Sequence, residues 1–141
     1  MTYRIDNSWS PEPAPAGTLT ITLHNLTDEP LSGFTLCYTA ITRVMPGAPA
    51  PENATFLLRD ANFHRFAPPE GLVVPPGGGW TFRASGLNRS PFHRGDGIKT
   101  AYVTRADGTH VDAETGDLVL GPGNPDLPPA PGPPAAPPTL R

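Results

Sequence analysis

Apolar and polar side chains alternate along "GTLTITLHNL", residues 17–26, and this alternation constrains the fold more than any other feature of the sequence. Its apolar members are Leu19, Ile21 and Leu23, and threonines and a histidine stand next to them. A period of two places apolar side chains on one face of a β-strand and polar side chains on the other. The stretch is therefore predicted to be a strand with one buried face.

Similar alternation recurs along the chain, and turn residues separate the alternating stretches. The alternation covers residues 34–44 and 80–87. The pattern of residues 98–120 predicts two strands joined by an Asp-Gly turn, followed by a final strand. Shorter strands are predicted at 54–59 and 62–67. No window keeps the 3.6-residue period of a helix. About seven or eight short strands predict an all-β fold, an antiparallel β-sandwich of immunoglobulin-like or cellulose-binding-module-like type, with a closed barrel as the lesser alternative.

Side chains that share a face of these strands are predicted to form the core. The predicted members are Phe34, Leu36, Tyr38, Ala40, Phe56, Trp80, Phe82, Ala84 and Tyr102. Cys37 lies between apolar neighbours and is predicted to be a small buried packing residue. The polar turn before Phe34 joins the first two predicted strands, either as a hairpin or as a corner between two sheets.

Two regions differ in composition and predict the domain organisation. Residues 1–121 carry the strand patterns and form one β-sandwich domain, which is large enough for a single core. Residues 122–141 contain nine prolines in twenty positions and are predicted to be an extended linker or tail. At about 3.1 Å per residue, such a segment reaches roughly 60 Å.

Charge and cysteine content exclude several classes of protein. The net charge of −3 lacks the positive excess of a nucleic-acid-binding domain. One cysteine, Cys37, cannot form an internal disulfide. The first residues lack the apolar run of a signal peptide, and no apolar run reaches the roughly 20 residues of a membrane span. We therefore expect a cytoplasmic chain with no nucleic-acid or membrane partner.

No catalytic, metal-binding or cofactor-binding motif is found in the sequence. Asp28 and Glu29 are adjacent acids, but they lie in a turn and are predicted to be solvated. The four histidines do not keep the spacing of metal ligands. The chain alone is predicted not to be catalytic and to hold no cofactor. A hydrolase site built from His93 and Asp96 is the least favoured alternative.

One loop combines charge with an aromatic ring and predicts a binding site. Between residues 88 and 99 the basic side chains outnumber the acidic ones, which consist of Asp96 alone. Phe92 lies in this loop, and Trp9 precedes another proline-rich loop. Exposed rings stack on the apolar faces of sugars, while neighbouring polar side chains bond the hydroxyl groups. The predicted ligand-binding residues are Trp9, Phe92, His93, Arg94 and Lys99.

Over residues 2–121 the chain resembles the N-terminal accessory domain of bacterial family 20 glycoside hydrolases, the β-N-acetylhexosaminidases and chitobiases. The segments that carry the resemblance are "YRIDNSW", "LTITLHNLTDEPLSGFTLCYTAITRV", "LLRDANFHRFAPPEGLVVPPGGGWTF" and "GLNRSPFHRGDGIKTAYV". The resemblance implies a β-sandwich that binds carbohydrate such as chitin, and a linker that leads to catalytic domains.

The same resemblance implies which partners the chain has and which domain carries the catalytic residues. The family's catalytic Asp-Glu pair belongs to a separate barrel domain, so Asp28 and Glu29 do not inherit that role. The implied partners are a glycan containing N-acetylglucosamine or the catalytic domain of a hexosaminidase. The alternative is a structural or protein-interaction sandwich that has no affinity for sugars.

Overall fold

The computed structural model describes residues 2–120, whose regular structure is β-sheet apart from one 3₁₀ turn at Arg94–Asp96. The strands are β1 Tyr3–Ser10, β2 Thr18–Asn25, β3 Leu31–Ser32, β4 Thr35–Thr39, β5 Thr55–Asp60, β6 Phe63–Ala67, β7 Val73–Val74, β8 Gly79–Ala84, β9 Thr100–Thr104, β10 His110–Thr115 and β11 Val119–Leu120. The predicted all-β class is confirmed. The predicted proline-rich tail, residues 122–141, lies outside the described residues. Within residues 2–120, no helix has the length and apolar character needed to cross a membrane.

One large sheet contains most of the strands, in the order β5-β6-β4-β9-β10-β1-β2-β8. Neighbouring strands in this sheet run antiparallel, except that β1 runs parallel to β10. Strand β11 also pairs with β1 in the parallel direction. The sheet curls so that distant strands face each other. This is seen in the rings of Phe66 on β6 and Phe82 on β8, which lie 4.8 Å apart. The result is a β-sandwich, as predicted.

The alternating side chains fill the space between the two layers. All three apolar residues of the first predicted strand, now β2, are fully buried, and so are the inward residues of β4 and β8. Strands β2 and β4 are not neighbours in the sheet, so the polar turn before Phe34 is a corner between layers and not a hairpin. Cys37 is buried, in agreement with its predicted packing role.

Strand β1 was not predicted, and the reason is a polar residue at an inward position. Tyr3, Ile5 and Trp9 face the core, but Asn7 stands between them and interrupts the apolar alternation. The structure accommodates Asn7 because its side-chain amide donates to Gly116 O at 3.2 Å and its Oδ1 accepts from Ile98 N at 3.2 Å. These bonds satisfy a buried polar group that would otherwise be costly.

Candidate functional site

The structure places four of the five predicted ligand-binding residues on one loop between β8 and β9. We call Arg89, Phe92, His93, Arg94 and Lys99 the loop surface. Phe92 is half exposed, and the Arg89 guanidinium carbon lies 5.1 Å from the centre of its ring. This cation–π contact covers one face of the ring. The loop surface therefore offers one half-exposed aromatic ring with a guanidinium against it.

Asp96 holds this loop in its conformation. Its Oδ2 accepts hydrogen bonds from Phe92 N at 2.8 Å, from His93 N at 3.2 Å and from Arg89 Nη2 at 3.4 Å. The residue is 7% exposed. Because the carboxylate is engaged by the loop's own donors, its role is structural, and a hydrolase that uses Asp96 with His93 gains no support from this arrangement.

Replacement of Asp96 by alanine tests this role. The Asp96→Ala variant leaves two backbone amides and a guanidinium without their acceptor, and we expect it to lose about 1–3 kcal/mol of stability. Hydrogen exchange at the amides of Phe92 and His93 should accelerate. Asp117→Ala, at an exposed position near the loop, is the matched control. Unchanged exchange at both amides would show that other contacts hold the loop.

Trp9 requires a correction, because it is not a loop residue with an exposed ring. It is the last inward residue of β1, 6% exposed, and pairs with Leu19 and Leu120 on the neighbouring strands. Its indole N–H donates to Ala16 O at 2.8 Å, and the indole packs directly against Gly17, which has no side chain and has φ of +84°. The 11–17 turn thus covers Trp9, and no ring face remains for a ligand.

A second surface, not predicted from the sequence, lies on the outer face of the sheet. We call Phe63, Arg65, Tyr102 and His110 the outer-face patch. The residues come from β6, β9 and β10, and the centres of the Phe63 and Tyr102 rings lie 6.4 Å apart with their planes inclined by 31°. Both rings are partly exposed. Tyr102 was predicted to be in the core, and this is wrong, because Ala101 and Val103 take the inward positions of β9.

Cys37 on β4 lies beneath the patch and organises it. Its cross-strand partners are Arg65 on one side and Tyr102 on the other, and Arg65 Nε donates to Cys37 Sγ at 3.4 Å. Burial raises the pKa of the Tyr102 hydroxyl, and the neighbouring Cys37 raises it further, while Arg65 lowers it in part. Cys37 also raises the pKa of Arg65. The Arg65 guanidinium and the Tyr102 side chain also hydrogen-bond each other, which links β6 to β9 across β4.

Clefts elsewhere are lined mainly by turn residues. One of about 450 Å³ lies beside Asp28, Glu29 and Arg105, and a more apolar one of about 290 Å³ is lined by the 44–51 loop and Phe56. Within residues 2–120, no group of three or more His, Cys, Asp and Glu side chains is placed to hold a metal ion. Neither cleft shows the arrangement of nucleophile, base and orienting group that covalent catalysis requires.

The fold and these surfaces define the chain as an all-β sandwich domain with two surfaces that combine aromatic and polar side chains. No family model matches the chain, and no curated protein matches it in sequence. Solved structures do match it. The glycoside hydrolase family 20 exo-β-N-acetylglucosaminidase from Vibrio harveyi, in complex with N-acetylglucosamine, matches with a TM-score of 0.73 and 21% identity over 86% of this chain.

An inactive mutant of the same enzyme gives a TM-score of 0.73 at 22% identity, again over 86% of this chain. The chain spans 19% of the length of each of these two enzyme chains. A carbohydrate-binding module from the cellulosomal cellobiohydrolase 9A of Clostridium thermocellum overlaps 80% of the chain with a TM-score of 0.49 and 10% identity. At these identities the likeness to the two enzyme structures concerns the fold.

Proposed function

We propose that this chain is a non-catalytic accessory domain of a β-N-acetylhexosaminidase-type glycoside hydrolase that binds glycan containing N-acetylglucosamine. The observation that carries the proposal is the match to the Vibrio harveyi enzyme, which covers 86% of this chain but 19% of the enzyme. The same sandwich thus occurs as one part of a larger glycosidase. An accessory domain raises the local concentration of the substrate near a tethered catalytic site, even when its own affinity is weak.

Support of a catalytic domain by direct docking is a second candidate function, and the position of the loop surface favours it. Strand β11 ends at Leu120, which pairs with Trp9, and Leu118 N donates to Arg94 O at 3.0 Å. Leu120, the last described residue, thus lies two positions beyond the contact of Leu118 with Arg94. A domain that docks at this end of the sandwich would contact Phe92, His93, Arg94 and Lys99.

A pull-down on insoluble chitin tests the proposed function. We expect the chain to be retained by chitin and released by soluble N-acetylglucosamine oligomers, while retention on cellulose, which lacks the N-acetyl group, stays weaker. In the same samples, a chromogenic β-N-acetylglucosaminide should not be hydrolysed above the rate in buffer. If neither chitin nor cellulose retains the chain, the result would contradict glycan binding and favour docking. Turnover of the chromogenic substrate would contradict a non-catalytic role.

A further inference from the structure

We infer that the outer-face patch, and not the loop surface, is where a chain of N-acetylglucosamine units binds. The inference rests on the proposed function and names the site for it. The ligand class follows from the chemistry of the patch, which combines two neighbouring aromatic rings with planar polar groups and carries no excess of positive charge. Three features of the described residues lead to this assignment.

The first feature is the arrangement of the two rings. Phe63 and Tyr102 stand on β6 and β9, on either side of β4, with ring centres 6.4 Å apart and an inclination of 31°. Between them β4 presents the small side chains of Cys37 and Thr39, which pair with residues of both strands. Arg65 lies over fully buried Cys37 and hydrogen-bonds Tyr102, so the two rings and the guanidinium form one continuous surface. A pyranose can lie on this surface with its apolar C–H face against an aromatic ring.

The second feature is the set of polar groups around the rings. Arg65 lies 5.8 Å from the centre of Phe63. Its Nε donates to Cys37 Sγ, and its guanidinium also hydrogen-bonds the Tyr102 side chain, so its remaining N–H groups are the ones that a ligand can use. His110 packs edge-on against Tyr102 at 4.9 Å, and its Nδ1 hydrogen-bonds Thr104 Oγ1 at 2.9 Å, which leaves Nε2 for a ligand. Planar polar groups of this kind can hydrogen-bond the hydroxyl and amide groups of a sugar.

The third feature is the charge balance of the patch. Arg65 brings positive charge, while Asp60 pairs across the strands with Phe63 and Asp112 pairs with Tyr102. The carboxylates offset the guanidinium, so the surface has no positive field that would select an anion such as a phosphate. A neutral polyhydroxylated chain with an apolar face fits this balance. The loop surface instead holds one ring, that of Phe92.

Native affinity electrophoresis in gels that contain soluble glycol chitin tests the inference. Wild-type protein should be retarded, and Tyr102→Ala and Phe63→Ala should bind about five- to tenfold more weakly because each removes a stacking ring. Tyr102→Phe should keep most of the retardation. Phe92→Ala, on the loop surface, is the matched control and should be retarded like the wild type. If Tyr102→Ala fails to fold, Tyr102→Leu is used in its place, because leucine keeps apolar volume on β9.

The possible outcomes separate the inference from the proposed function. Retardation that persists in both ring variants but is lost in Phe92→Ala would overturn the inference and leave the proposed function standing. Absence of retardation in the wild type would overturn both. Sedimentation without polysaccharide is the remaining check, because a dimer that Tyr102→Ala dissociates would mean that a second copy of the chain, and not a glycan, covers the patch.

Discussion

The Trp80→Ala variant is expected to lose about 3–5 kcal/mol of folding free energy, which is a large part of the stability of a domain of this size. Trp80 is 2% exposed and packs against Phe82, with ring centres 4.6 Å apart, and edge-on against Phe34 at 5.5 Å. Its indole N–H also donates to Asn53 O at 2.9 Å. Truncation therefore opens a cavity, removes two ring contacts and leaves a carbonyl without its donor.

Urea denaturation followed by circular dichroism measures this loss. Thr81→Ala is the matched control, because Thr81 is the next residue on β8 and faces solvent. We expect this control to shift the free energy of unfolding by less than about 1 kcal/mol, since surface substitutions usually have small effects. A Trp80→Ala variant that unfolds at the same urea concentration as the wild type would contradict the placement of Trp80 in the core.

Acid is expected to destabilise the domain through one buried histidine, His64. The side chain is fully buried and stacks on Tyr38, with ring centres 4.7 Å apart. Its Nε2 accepts from Val44 N at 3.2 Å, so Nδ1 carries the proton and donates to Asn62 O at 3.0 Å. Burial lowers the pKa of His64 from 6.5 to about 4, because a charged imidazole is poorly solvated there.

This depressed pKa fixes the direction and the pH window of the effect. Between pH 6.5 and about 4, the unfolded chain binds a proton at His64 that the folded chain does not bind. The free energy of unfolding therefore falls as the pH falls through this window, by about 3 kcal/mol in total. The stabilisation is fully present above pH 6.5, where the imidazole is neutral in both states.

Denaturation curves at several pH values between 7 and 4 test this expectation. His64→Gln removes the titrating group, and its stability should depend less steeply on pH across the window than that of the wild type. Thr81→Ala, which changes an exposed residue that does not titrate, is the control and should keep the wild-type slope. Equal slopes in the wild type and His64→Gln would show that another group causes the acid sensitivity.

Sequence patterns predicted much of the fold because burial on one face leaves a local signature. The alternation of Leu19, Ile21 and Leu23 identified β2, and Trp80 with Phe82 identified β8. Each strand was found because its inward positions are uniformly apolar. Strand β1 escaped because Asn7 occupies an inward position, and its hydrogen-bond partners, Gly116 and Ile98, are more than ninety residues away in the chain.

The surfaces were harder to predict, since they depend on which residues become neighbours across the sheet. Phe92 and the basic residues of the loop surface are close in sequence, so the loop could be singled out from the sequence alone. Trp9 is covered because the 11–17 turn folds back over it, which the alternation of β1 does not show. Phe63 and Tyr102 come together only through the register of β4 with β6 and β9.

An amide-NMR titration of the chain with chitobiose and longer N-acetylglucosamine oligomers tests whether this sandwich binds glycan. We predict saturable shifts at millimolar sugar that cluster on β4, β6 and β9 around Phe63, Arg65 and Tyr102, and that grow with oligomer length. Spectra that do not change at millimolar concentrations of the longest oligomer would contradict glycan binding.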